Sequence, residues 1–183
     1  MDAFLNLIDQ NVLIPLVWAV LFLIILKKIV PGRYKIASAL EIIRWIIIGY
    51  AAVALCYFLF GIMTNPDSYA IVNRAKGPYR LLYFLMTFCS LILPFSLLIK
   101  KLAAKPFYIL IVALLIRIGW YLERFVIFVS SLHRDYAPSL FHSEYPSLMF
   151  IVSQLLKGAA LTILILIFAH YFSKNQKSSL QNS

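Results

Sequence analysis

Apolar residues gather into five long runs, at about 7–27, 39–63, 79–99, 107–131 and 148–172, separated by short polar, basic or proline-containing connections. A hydrocarbon core of about 30 Å needs roughly 20 helical residues to cross it, and each run meets that length. The pattern predicts an all-α integral membrane protein of about five transmembrane helices. They form a single domain over 1–173, and 174–183 is a polar cytoplasmic tail expected to be disordered. No internal repeat or low-complexity block interrupts the runs. Pro15 and Pro94 fall inside the first and third runs and are expected to kink them, because a proline ring removes one helical hydrogen bond.

Composition strengthens this reading. Of the 183 residues 63% are hydrophobic, against roughly 45–50% in a soluble domain, and the mean hydropathy is +0.89. Seventeen Lys and Arg against seven Asp and Glu give a net charge of +10. In a soluble chain that excess would point to nucleic acid. Here the basic residues lie mainly between apolar runs, where they set topology and meet lipid headgroups, so the expected partner is the bilayer and not nucleic acid. The opening stretch Met1–Gln10 has no basic segment and no small-residue cleavage site, so it does not resemble a cleaved signal peptide. The first span is expected to remain in the mature protein.

The connections differ in charge. One set holds nine cations, namely Lys27, Lys28, Arg33, Lys35, Lys100, Lys101, Lys105, Lys174 and Lys177. The other set holds three, Arg74, Lys76 and Arg134. Basic connections stay in the cytoplasm. The expected topology places the N-terminus outside and the C-terminus inside, with the long loops 64–78 and 132–147 on the extracytoplasmic face.

Several charges interrupt the runs: Glu41, Arg44, Arg117, Glu123, Arg124 and Lys157. An ionisable side chain at mid-bilayer costs at least ~2.5–3.5 kcal/mol on insertion scales, so each should have a partner or a wet pocket. At ~1.5 Å per residue, Glu123 and Arg124 lie about 10–12 Å below the outer end of span four, and Lys157 about 13 Å below that of span five. Glu123 and Lys157 therefore match in depth as an interhelical pair. Arg117 and Arg124 are seven residues apart, on nearly one helix face, and Glu41 is placed to reach toward Arg117. Two readings of this polar spine stay open. It glues helices in register, or it lines a proton path or a polar substrate wall.

Other chemistry finds little support in the residue pattern. His133, Asp135, His142 and Glu144 have no compact ligand spacing, so no metal site is expected. His170 lies at the opposite end from His133 and His142, which gives no bis-histidine haem pair. Cys56 and Cys89 lie 33 residues apart inside apolar runs and read as membrane-core residues. No nucleophile motif or glycine-rich phosphate loop occurs, and no catalytic residue is assigned.

Two blocks carry a family resemblance. "GWYLERFVIFVSSLHRDYAPS" (119–139) resembles the segment near the C-terminus of NrfD/PsrC-type, polysulfide reductase-like membrane subunits. "TNPDSYAIVNRAKGPYRLLYFLMTFCSLILP" (64–94) is similar to the preceding loop and span of the same subunits. The likeness is closest to the C-terminal half of the NrfD-like subunit of alternative complex III, a quinol-oxidising respiratory complex. The five spans would correspond to its second helix bundle plus final helix. Those subunits have further spans and hold their quinone site in a first bundle, so no quinone site carries over to any residue here. Arg117 stands where the family has an uncharged polar residue, and Leu140 and Phe141 replace a Ser-Trp-like ending.

The resemblance implies a bacterial inner-membrane chain that binds no cofactor alone, with quinone present only within a complex. Its docking loops, with Asn73 and Arg74 in one and His133, Arg134 and Asp135 in the other, would face an extracytoplasmic iron–sulfur or haem c subunit. A separate NrfD-like membrane chain would supply the missing half. Three functions follow for comparison. The first is a membrane subunit or half-module of a quinone-linked electron-transfer complex, without a catalytic site of its own. The second is a structural or assembly protein, or truncated homologue, that associates with itself as a homo-oligomer. The third is a proton or ion carrier, disfavoured because no inverted repeat is visible.

Overall fold

The computed structural model describes residues 7–30, 35–64, 76, 80–119, 121, 122, 125 and 148–181. Among them every regular element is helical, and four helices are long and apolar enough to cross a membrane: Gln10–Ile29, Ile36–Thr64, Arg80–Leu98 and Ile151–Tyr171. The protein is therefore an all-α chain of membrane type.

The first crossing opens with a π-helical turn, Asp9–Leu13, and continues as α1, Ile14–Ile29. Pro15 follows the π turn by two residues and is fully buried. It has no N–H to give to a carbonyl one turn back, and the wider π turn absorbs the clash of its ring. The pattern recurs in the third crossing. There α3, Arg80–Thr87, passes into a π turn, Phe88–Ile92, and then into a 3₁₀ segment, Leu93–Leu98, in which Pro94 is the second residue. Both prolines thus sit just beyond a locally widened helix.

Between these crossings runs α2, Ile36–Thr64. Its 29 residues would span about 43 Å at ~1.5 Å each, more than the hydrocarbon core, so it tilts or projects beyond it. The connector after the third crossing holds a single short turn of helix, α4, Lys100–Ala103. Lys105 then takes an extended conformation (φ −92°, ψ 108°), as the residue before a proline does, and Pro106 starts α5, Pro106–Leu115.

The fourth expected span, 107–131, is only partly described. Its helix α5 gives way to a turn at Ile116 and Arg117 and resumes at Ile118 and Gly119. Arg117 N–H bonds back to Leu114 O at 3.2 Å, the tighter three-residue spacing. A Cβ on Gly119 would stand 3.1 Å from Met86 Cε, so the third and fourth segments meet there.

The last helix, α6, runs Leu148–Gln181. This corrects the expectation of a disordered tail from 174. The residues Lys174–Gln181 include no glycine or proline, and Lys, Gln and Leu all favour helix, so nothing stops the helix where the apolar run ends.

The core follows from these periodicities. On α1 it is Leu16, Ala19, Val20 and Leu23, one face of a 3.6-residue repeat. Leu40, Ile43 and Ile47 of α2, Leu97 of the third crossing, and Ile109, Val112 and Ile116 of the fourth complete it with Ile165 and Ala169 of α6. Most large side chains elsewhere on the crossings point outward, among them Trp45, Phe60, Phe84 and Leu164. Such a surface suits a lipid solvent.

The tightest packing joins α1 and α6. A Cβ on Gly158 would lie 2.4 Å from Trp18 Cβ and 3.1 Å from Pro15 O, so only glycine allows the two backbones to approach this closely. Thr162, one turn further on, returns its hydroxyl to Gly158 O at 2.7 Å.

Candidate functional site

Four of the six intramembrane charges lie among the described residues, and the structure gives each a different setting. Arg44 projects from α2 to the end of the third crossing, where its Nη2 donates to Leu98 O at 3.2 Å. A helix leaves its last carbonyls without intrahelical donors and carries partial negative charge there, so a guanidinium is a fitting cap. The Arg44 guanidinium also lies 5.4 Å from the ring centre of the exposed Trp45. Its Nε is buried with no hydrogen-bond partner among the described residues.

Lys157 finds its partner at the start of the first crossing. Its Nζ donates to Asn11 Oδ1 at 2.9 Å, and Asn11 Nδ2 donates to Leu7 O at 3.0 Å. The ammonium thus reaches the end of the bundle from one turn further in, by extending its aliphatic stem. Glu123, expected beside it on grounds of depth, lies outside the described residues, as does Arg124.

Arg117 is buried, with 7% of its surface exposed, at the turn where α5 ends. Glu41 is exposed and makes no hydrogen bond or ion pair with Arg117 among the described residues. At ~1.5 Å per residue Glu41 stands about 8 Å into α2 and Arg117 about 16 Å beyond the start of α5, which separates them in depth. The Glu41–Arg117 approach is therefore not made. Arg44 reaches the end of the third crossing and Lys157 the start of the first, so these two serve opposite ends of the bundle.

Two polar features escaped the sequence reading. Gln154, one turn before Gly158 on the buried face of α6, is 4% exposed, and its Oε1 has no hydrogen-bond partner among the described residues. Its signal was visible, since it is the one carboxamide inside the fifth run and stands three residues before Lys157. The second is the pair Ser96 Oγ···Tyr108 Oη at 2.7 Å, which ties the third crossing to α5. Here the sequence offered only two ordinary polar residues in apolar runs.

No group of three or more His, Cys, Asp or Glu residues that would hold a metal occurs among the described residues. Cys56 is exposed and Cys89 buried, both as free thiols. The docking-loop residues Asn73, Arg74, His133, Arg134 and Asp135 lie outside the described residues.

Two of these charges, Arg44 and Lys157, tie one crossing to another, donating to a backbone carbonyl and to an amide oxygen. No family model, curated protein or solved structure matches the chain.

Proposed function

We propose that this chain is a membrane subunit of a quinone-linked electron-transfer complex, one that completes a helix bundle and anchors a redox partner on its extracytoplasmic face. The observation that carries the reading is the use of charge. Arg44 caps Leu98 and Lys157 ties α6 to Asn11, so both act as fasteners between helices. A subunit whose redox chemistry belongs to neighbouring polypeptides needs a rigid bundle of this kind. The sequence blocks 64–94 and 119–139, with their likeness to NrfD-like subunits, supply the choice of complex. On this reading the chain sits in a bacterial inner membrane, takes no cofactor alone, and meets quinone only through its partners.

The test is purification of the tagged full-length chain in mild detergent, read by mass spectrometry and an optical redox spectrum. Iron–sulfur or haem c polypeptides, together with a second NrfD-like membrane chain, are the expected companions. A colourless preparation containing this polypeptide alone would sink the proposal.

A second reading, a self-associating scaffold, draws on the outer half of the third crossing. Over Arg80–Thr87 no residue is buried, and Leu81, Phe84 and Leu85 are exposed. The same purification separates the readings, because a scaffold would emerge as a homo-oligomer without redox centres.

A further inference from the structure

One end of the bundle concentrates cations. The first crossing ends there with Lys27 and Lys28, and the connector from the third crossing to α5 adds Lys100, Lys101 and Lys105, all five exposed. None of the five has a hydrogen bond or ion pair to a carboxylate among the described residues. The one described carboxylate at this end, Glu41, is itself exposed and unbonded.

The connector is braced. Arg44 holds its first side through Leu98 O at 3.2 Å, and the Ser96–Tyr108 bond at 2.7 Å holds the crossing before it to the helix after it. Within it, Ala103 N–H bonds to Ile99 O and Lys105 N–H to Leu102 O, each at 3.1 Å. The lysines are therefore mounted on an ordered turn, which lowers the conformational entropy lost when a ligand binds them. Their neighbours are apolar and outward-facing: Leu98 is 49% exposed, Ile99 54% and Phe107 65%. Trp45 stands beside Arg44 at 56% exposure, a further exposed aromatic ring on this half of α2.

Cationic heads beside exposed hydrocarbon define a ligand with a phosphate at one end and acyl chains at the other. We infer that this connector is a docking site for an anionic phospholipid, whose phosphate meets Lys100, Lys101 and Lys105 while its chains lie along Leu98, Ile99 and Phe107. A free phosphate compound would match the lysines alone and leave the apolar flank uncovered. An acidic soluble protein would meet hydrocarbon on that flank.

The experiment uses the full chain in mild detergent at 0.15 M salt. Native mass spectrometry follows retention of phosphatidylglycerol, phosphatidylcholine and, as the headgroup alone, glycerophosphate. Phosphatidylglycerol should be retained at least tenfold better than phosphatidylcholine, and glycerophosphate should neither be retained nor displace it. A juxtamembrane lysine attracts anionic lipid strongly enough that K100Q/K101Q should weaken retention about thirtyfold. The charge-matched K76Q/R80Q variant alters exposed cations at the far end of the third crossing and should stay within about twofold of the parent.

Equal retention of the two lipids, or an equal loss in both double variants, would overturn the site, since net charge would then explain the effect. Competition by glycerophosphate would overturn the lipid assignment. If K100Q/K101Q does not fold, the parent chain still decides. Phosphatidylglycerol should raise its thermal midpoint by several degrees over phosphatidylcholine, and no difference would refute the proposal.

Discussion

At the scale of single residues, the informative positions are cations whose partners are neutral oxygens. Arg44→Leu removes the donor that caps Leu98 O, and a hydrogen bond from a charged group contributes about 1–2 kcal/mol where it is partly exposed. The variant should lower the thermal midpoint in detergent by several degrees, and Arg44→Lys should recover only part of the loss, because an ammonium lacks the planar reach of a guanidinium. An unchanged midpoint in Arg44→Leu would show that the bond is incidental. Arg44 could be picked out in the sequence, since a charge within an apolar run demands a partner. Its partner could not, because a backbone carbonyl leaves no trace in residue identity. The same limit applies to Lys157. Its bond to Asn11, an amide near the opening of another span, was not foreseen, and Glu123, the carboxylate that depth matching selected, lies outside the described residues.

At the scale of elements, the four long helices were legible because length and apolarity suffice to define them. The runs at 7–27, 39–63, 79–99 and 148–172 correspond to Gln10–Ile29, Ile36–Thr64, Arg80–Leu98 and Ile151–Tyr171. The two proline interruptions were also foreseeable, although their form, a π turn just upstream, was not. What apolarity could not convey is how close two helices come. Gly158 and Gly49 look alike in sequence, each a glycine within an apolar helix. Their surroundings differ: a Cβ on Gly158 would collide with Trp18, while nothing lies within 4 Å of one on Gly49. Gly158→Ala should therefore force α1 and α6 apart and cost about 1–3 kcal/mol, as overpacking does. Gly49→Ala should be neutral or stabilising by up to about 1 kcal/mol, because alanine is the better helix former. Thermal midpoints of the two variants, measured side by side in one detergent, check both. A Gly158→Ala variant as stable as Gly49→Ala would mean that the α1–α6 contact does not hold the bundle together.

For the whole molecule, the number of crossings decides where the termini lie, and here the fourth segment is pivotal. As a helix α5 covers 10 residues, about 15 Å, which is too short for a 30 Å core, so four or five crossings depends on 116–131. Counting from Gln10, Pro15 and Trp18 stand about 8 and 12 Å along the first crossing; counting from Ile151, Gly158 stands about 10 Å along the last. Gly158 meets those two residues at a matching depth, as it would if the two helices ran in the same direction. Counted from Tyr171, Gly158 would instead be about 20 Å deep. Five crossings, the number that the apolar runs predict, would put the termini on opposite sides. With the nine basic residues on one set of connections, the expected side for the C-terminus would then be the cytoplasm. Single cysteines introduced as Asp2→Cys and Ser183→Cys, with Cys56 and Cys89 replaced by serine, would report this in intact cells. An impermeant thiol reagent should label the first position and spare the second until the membrane is opened. Labelling of both, or of neither, would leave an even number of crossings and would overturn the five-span topology.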